Sequence, residues 1–305
     1  MKQVSQWTKY LKTIILSILM VLAVKTLIVT SCFIPYSGME NSLYKDEGVL
    51  INKWSYGLRT PFMSLLGYHR IGKGEMRKGD IVLFNNPMPR ERNVEIDDRE
   101  IYISRCIALP GDTITLNKDM VAIDANVFSP DKKELYAYES GEEEKVSATL
   151  QELGIAQNTL SGFTRDGKFI RGLSNYEYYL VSQRIGHEVD FTKFSSRITE
   201  NTYQLVIPGK GIPVKVHPWN AKLLCNAIIS HEHKAAHLQH NTIYIGNSPV
   251  QEYTFTKDYY WMASNDPANM NDSRLFGFVP EDHVIGKAER IWYSSDIRRV
   301  LKKVE

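Results

Sequence analysis

The chain has 305 residues, enough for one large domain or two smaller ones around a sizeable core. Its 37 Lys+Arg stand against 35 Asp+Glu, a formal net charge of +2, which argues against a nucleic-acid binder with its strongly basic stripe. Aromatic residues, 17 tyrosines among them, are spread along the chain and lean toward strands over a helical bundle.

The first element is a predominantly apolar stretch from Ile14 to Ile34, interrupted by Ser17, Lys25, Thr26, Thr30 and Ser31. Its length suits a helix crossing a hydrocarbon core, which takes about 20 residues. Lys2, Lys9 and Lys12 precede it, so the positive-inside rule predicts a cytoplasmic segment 1–12 and a single-pass anchor over 13–34, with the main domain outside. A cleaved signal peptide would have a shorter apolar core and an A-x-A-like end. Val29-Thr30-Ser31-Cys32 loosely matches a lipoprotein box, but Lys25 interrupts the apolar core just before it. Lys25 itself can snorkel toward the headgroups from about two turns inside the outer end.

From Gly48 onward the chain reads as short strands split by Gly, Pro, Asn and Asp. Strands are predicted at Val49–Asn52, Asp80–Phe84, Ile101–Leu109, Thr113–Leu116 and Met120–Ile123. Pro110-Gly111-Asp112 is turn chemistry between two of them. Later strands are predicted at Tyr203–Ile207, Thr242–Ile245, Gln251–Phe255, Tyr259–Met262 and Glu289–Tyr293.

Residues 125–240 differ in character. They carry the acidic run Glu142–Glu144, read as a solvated loop, and two helical patterns: Ser147–Leu153, ended by Gly154, and one opening at Pro218 with Trp219, Leu223, Leu224, Ala227 and Ile228. The expected architecture is mainly β: a core of 35–124 and 241–305 behind one transmembrane helix, with 125–240 inserted as an α+β subdomain. Cys32, Cys106 and Cys225 form no disulfide framework; a Cys106–Cys225 bridge and free buried thiols both stay open.

The segment directly after the anchor reads Ile34-Pro35-Tyr36-Ser37-Gly38-Met39-Glu40-Asn41-Ser42-Leu43. Lys78-Gly79-Asp80-Ile81-Val82-Leu83-Phe84 follows, then Tyr102-Ile103-Ser104-Arg105-Cys106-Ile107-Ala108-Leu109-Pro110-Gly111-Asp112 and Asp272-Ser273-Arg274-Leu275-Phe276-Gly277-Phe278-Val279-Pro280. These four boxes, in this order behind an anchor, resemble the bacterial signal peptidase I family. Its patterns are I-P-S-G-S-M-x-P-T-L, R-G-D-I-V-V-F, Y-I-K-R-x-x-G-L-P-G-D and D-S-R-x-x-G-x-V-P. The resemblance implies a β-rich peptidase fold, a Ser/Lys pair and no metal or cofactor. Residues 125–240 match weakly or not at all.

Such a pair needs a hydroxyl nucleophile beside an amine that burial keeps neutral, plus oxyanion donors. Here the family's nucleophile falls on Gly38, which has no side chain, and its lysine on Ser104. Arg105 matches the family's arginine and stays protonated, so it cannot serve as the base. The oxyanion serine corresponds to Tyr36 and the lysine-orienting serine to Met270, while Met39, Asp272 and Arg274 match the scaffold. A one-residue shift would make Ser37 the nucleophile, but neighbours in an extended segment point to opposite sides. Lys45 and Lys53 are the nearby amines in sequence, and neither has a matching role.

The histidines at 231, 233, 237 and 240 suggest a polar helix end, with His233 and His237 on one face; an H-E-x-x-H site fails because Ala235 stands where its second histidine belongs. The expectation is therefore a silent homologue in the plasma (inner) membrane, binding exported preproteins or partnering an active peptidase. An active peptidase using Ser37 is the alternative. A third reading assigns the function to the inserted domain.

Overall fold

The computed structural model describes residues 2–91, 93–123, 131–155, 158–194 and 202–304. One helix runs from Lys2 to Leu27, and its part Lys9–Leu27 is long and apolar enough to cross a membrane. It stops seven residues before the expected end of the anchor. Beyond Ile28, Val29–Phe33 is a strand paired antiparallel with Gly48–Asn52. The β-branched Val29 and Thr30 favour the pleated form, and the partner strand supplies the hydrogen bonds that a helix would otherwise give. Lys25 consequently lies in the last helical turn.

Seven antiparallel strands form the central sheet. Its order is Val29–Phe33, Gly48–Asn52, Val284–Tyr293, Ile81–Asn85, Ile101–Ala108, Tyr259–Ala263 and Val279–Pro280. Ile81–Asn85 is buried throughout, as its unbroken apolar run requires of a central strand. One cluster (Ile34, Met39, Leu43, Val49, Ile51, Ile291) packs on one side, and another (Val82, Phe84, Cys106, Met262, Phe276, Val284) on the other. The molecule is mainly β, as the sequence led us to expect.

The interval 125–240 divides between two packing units. Lys133–Tyr138, Leu160–Phe163, Phe169–Ser174 and Thr192–Lys193 form a separate four-stranded sheet. Helices Glu143–Glu152 and Asn175–Ile185 share its core of Tyr138, Val146, Leu150, Leu173 and Val181. Tyr203–Val206 instead pairs with Thr113–Leu116, and helix Ala221–Ser230 packs with Trp261 and Phe278 of the main body.

Three local expectations change. Met120–Ile123 makes only an isolated bridge, Leu116 to Ala122, because Asn117 Oδ1 accepts the N–H groups of Asp119 and Val121 in a tight turn. Glu143 is not in a solvated loop: it opens a helix and accepts hydrogen bonds from Tyr138, Ser147 and Arg171. The histidines share no helix face. The helix stops at Ser230, His233 has a positive φ of 52°, and His237 lies in the strand Ala236–Gln239. All three cysteines are free.

Candidate functional site

The strand Val29–Phe33 delivers the chain into the segment Ile34–Leu43, which crosses the sheet beside Ile101–Ala108. Its apolar residues set its depth: Ile34, Met39 and Leu43 are buried in the core. Tyr36 and Ser37 are exposed and Gly38 is buried, and all three line one cleft. Residues 32–39, Ile101, Tyr102, Ile103, Ser264, Asn269 and Asn271 line a cleft. Only about 30 Å³ of it is free, little more than a water needs.

Gly38 marks the tightest point. A Cβ built there would lie 2.7 Å from Asn269 Nδ2 and 2.9 Å from its Cγ. Asn269 is held in place: its Nδ2 donates to the carbonyl of Ser37, and its Oδ1 accepts the Asn271 N–H at 2.9 Å. The Asp266 N–H donates to the Gly38 carbonyl at 3.0 Å. Asn269 therefore fills the place of a side chain at position 38, and no motif singled it out.

Ser104 is fully buried in its strand, and its hydroxyl donates to the main-chain oxygen of Asn271 at 3.4 Å. It stands behind the cleft wall, joined to the cleft through Asn271. Met270 projects from the adjoining loop and is largely exposed.

Behind the segment is a dense polar network. Arg105 donates from Nε to Asn265 Oδ1 at 3.2 Å, from one terminal nitrogen to the Gly79 carbonyl at 2.8 Å and from the other to Ser42 Oγ at 2.8 Å. Asn265 Nδ2 in turn donates to the Glu40 carbonyl at 3.1 Å and to Ser42 Oγ at 3.0 Å. Asp272 accepts the N–H of Ser264 and the guanidinium of Arg274, whose other contacts are the carbonyls of Pro267 and Asn269. The loop 264–274 is fixed against the segment by these bonds.

The inserted sheet joins the same network. Lys133 Nζ donates to Glu40, Ser42 Oγ to Asp131, and the Lys133 N–H to the Asn265 carbonyl at 2.8 Å. Burial lowers the pKa of Lys133, but Glu40 and Glu177 outweigh it and push the pKa up. This buried lysine is thus held as a cation beside the segment. Nothing in the sequence pointed to it, since it enters from the stretch without family boxes. Lys45 is exposed, and Lys53 donates to the Thr26 carbonyl at 2.9 Å, so neither takes part. Among the described residues no group of three His, Cys, Asp or Glu side chains could hold a metal.

A mainly β domain on an apolar N-terminal helix, with a narrow cleft where the bent segment Ile34–Leu43 meets the sheet, is an arrangement that fits a membrane-anchored peptidase-like protein. The family described as signal peptidase, peptidase S26, matches residues 7–184 and 196–293, and the chain belongs to it. Signal peptidase I of Aquifex aeolicus is 25% identical over 291 residues, 95% of this chain and 85% of that protein. That of Pseudomonas aeruginosa is 27% identical over 296 residues, covering 94% and 72%. That of Buchnera aphidicola from Schizaphis graminum is 25% identical over 263 residues, covering 86% and 67%. The N-terminal helix and this membership fit a membrane-anchored protein.

Proposed function

We propose that the chain is a catalytically silent homologue of signal peptidase I, a pseudoenzyme. It lies in the plasma (inner) membrane with its N-terminus in the cytoplasm and its β domain outside. There it binds exported preproteins just past their signal sequence, or pairs with an active peptidase that does.

The observation that carries this reading is Gly38. The position assigned to the nucleophile has no side chain, and Asn269 occupies the space one would need. Ser104, at the position of the base, has a hydroxyl that takes up no proton near neutral pH. The frame around them is kept: Arg105, Asn265, Asp272 and Arg274 hold the segment and the loop in place. An extended peptide binds such a frame through its main chain, which requires neither nucleophile nor base.

The active alternative has one supporting feature, since Ser37 lines the cleft with an exposed hydroxyl. Its weakness is the missing base, because Lys133 is ion-paired to Glu40.

The test is to incubate the full chain in proteoliposomes with a preprotein carrying an intact signal sequence, then recover the chain and its cargo. The reading expects the preprotein to be retained whole. Retention should weaken when Ile103→Glu places a charge in the cleft. Cleavage, or equal recovery with a mature protein lacking the signal sequence, would contradict it.

A further inference from the structure

A second concavity, of about 510 Å³, lies where the anchor helix meets the β domain, within the size range of small-ligand pockets. Leu22, Lys25 and Thr26 of the helix form one wall, and Lys53, Arg59 and Phe62 the other. Leu22 is about 7.5 Å along the helix axis from its last residue, Leu27. The pocket therefore opens at the outer edge of the apolar span, at headgroup depth.

Its charges are unevenly matched. Arg59 is committed to Asp97 at 3.0 Å, to Asn85 at 2.8 Å and to the Asp282 carbonyl at 3.0 Å. Asp97 also accepts the Met63 N–H at 2.7 Å. Lys53 is half-buried, and its ammonium donates to the Thr26 carbonyl, with no carboxylate in salt-bridge range among the described residues. Burial lowers its pKa, and the positive charges of Arg59 and Lys25 act in the same direction, opposed by Asp97. Lys25 is exposed and unpaired among the described residues. Asp98, on the exposed rim, is the one acid left to face these two lysines. Phe62 lines the pocket and is exposed, and Leu65 and Leu66, exposed in the short helix that follows it, continue an apolar ridge.

We propose that this pocket binds the phosphate of an anionic phospholipid headgroup, with Lys25 and Lys53 on the phosphate and Phe62, Leu65 and Leu66 against the acyl chains. Phosphate is the chemistry that two ammonium groups without a salt-bridged carboxylate among the described residues select. A lipid is its source because one wall belongs to the membrane span itself. The proposal is independent of whether the chain cleaves peptides.

The test is native mass spectrometry of the full chain in a phosphate-free detergent, loaded with phosphatidylglycerol or phosphatidylcholine. Lys53→Gln removes the charge yet keeps a donor for the Thr26 carbonyl. Lys25→Gln disturbs no contact within the protein, and decides the matter if the first variant folds poorly. One phosphatidylglycerol should be retained per chain in preference to phosphatidylcholine, about fivefold less tightly in each variant. Millimolar inorganic phosphate should not displace it. Equal retention by all three proteins, equal retention of the two lipids, or displacement by inorganic phosphate would overturn the proposal.

Discussion

The two halves of the segment Ile34–Leu43 are held in opposite ways. Residues 40–43 are gripped from behind by Arg105, Asn265, Asp131 and Lys133 in a buried polar network. Residues 36–38 lie along the cleft, tied by one side-chain amide and one backbone hydrogen bond. The difference separates two jobs that a peptidase combines. A frame that positions a peptide depends on buried, mutually satisfied groups and is costly to change one residue at a time. The positions of the reacting groups, Gly38 and Ser104, belong to the side of that frame that lines or backs the cleft.

The largest effect should come from the gripped half. Lys133→Met strands the Glu40 carboxylate in the interior and should cost about 3–5 kcal/mol of stability. Changing Glu40→Leu as well should regain most of it. Thermal or denaturant unfolding reads both, and a loss no greater in the single than in the double variant would refute the role given to this pair.

The cleft half predicts a smaller, coupled effect. Gly38→Ala drives a methyl into the Asn269 amide and should destabilise by about 1–3 kcal/mol. Asn269→Ala opens that space, so the double variant should be more stable than the two single losses added together. Strict additivity would mean that Asn269 does not fill the site.

Much of this contrast was legible in the sequence. Four of the central strands were located to within a residue, while the last was expected at Glu289 and begins at Val284, and Val29–Phe33 and Val279–Pro280 were not foreseen. Asn269 was not legible, because its importance lies in a through-space approach to a glycine more than 200 positions earlier in the chain. Lys133 was hidden for the same reason: an ion pair across 93 residues leaves no local pattern. The helix Asn175–Ile185 was missed although Ser174 and Glu177 spell a capping box, and the structure shows both of its hydrogen bonds. The histidine stretch failed because helical spacing was assumed past Ser230, where the chain turns into a strand.

The smallest effect belongs to His231, buried near His283 with ring centroids 5.4 Å apart and its Nδ1 without a hydrogen bond among the described residues. Burial, then the charge His283 would carry, hold its pKa well below the ordinary histidine range. The folded chain keeps it neutral, while the unfolded chain takes up a proton near pH 6.5. Stability should therefore be insensitive to this group above that pH. Below it, the loss should be about 1.4 kcal/mol per pH unit for one proton. His231→Phe should give a shallower fall in Tm between pH 7 and 5, and an unchanged slope would contradict the assignment.

The central claim is that the frame is intact and the reacting groups are absent. It is tested most directly by cleavage of a model preprotein, comparing the natural chain with Gly38→Ser/Ser104→Lys and with the same pair plus Asn269→Ala. A restored pair has about a million-fold in turnover to recover. The account predicts a silent natural chain and cleavage at the normal site by the triple variant, with the double variant slower because Asn269 still crowds position 38. Cleavage by the natural chain that disappears with Ser37→Ala would contradict it and make Ser37 the nucleophile.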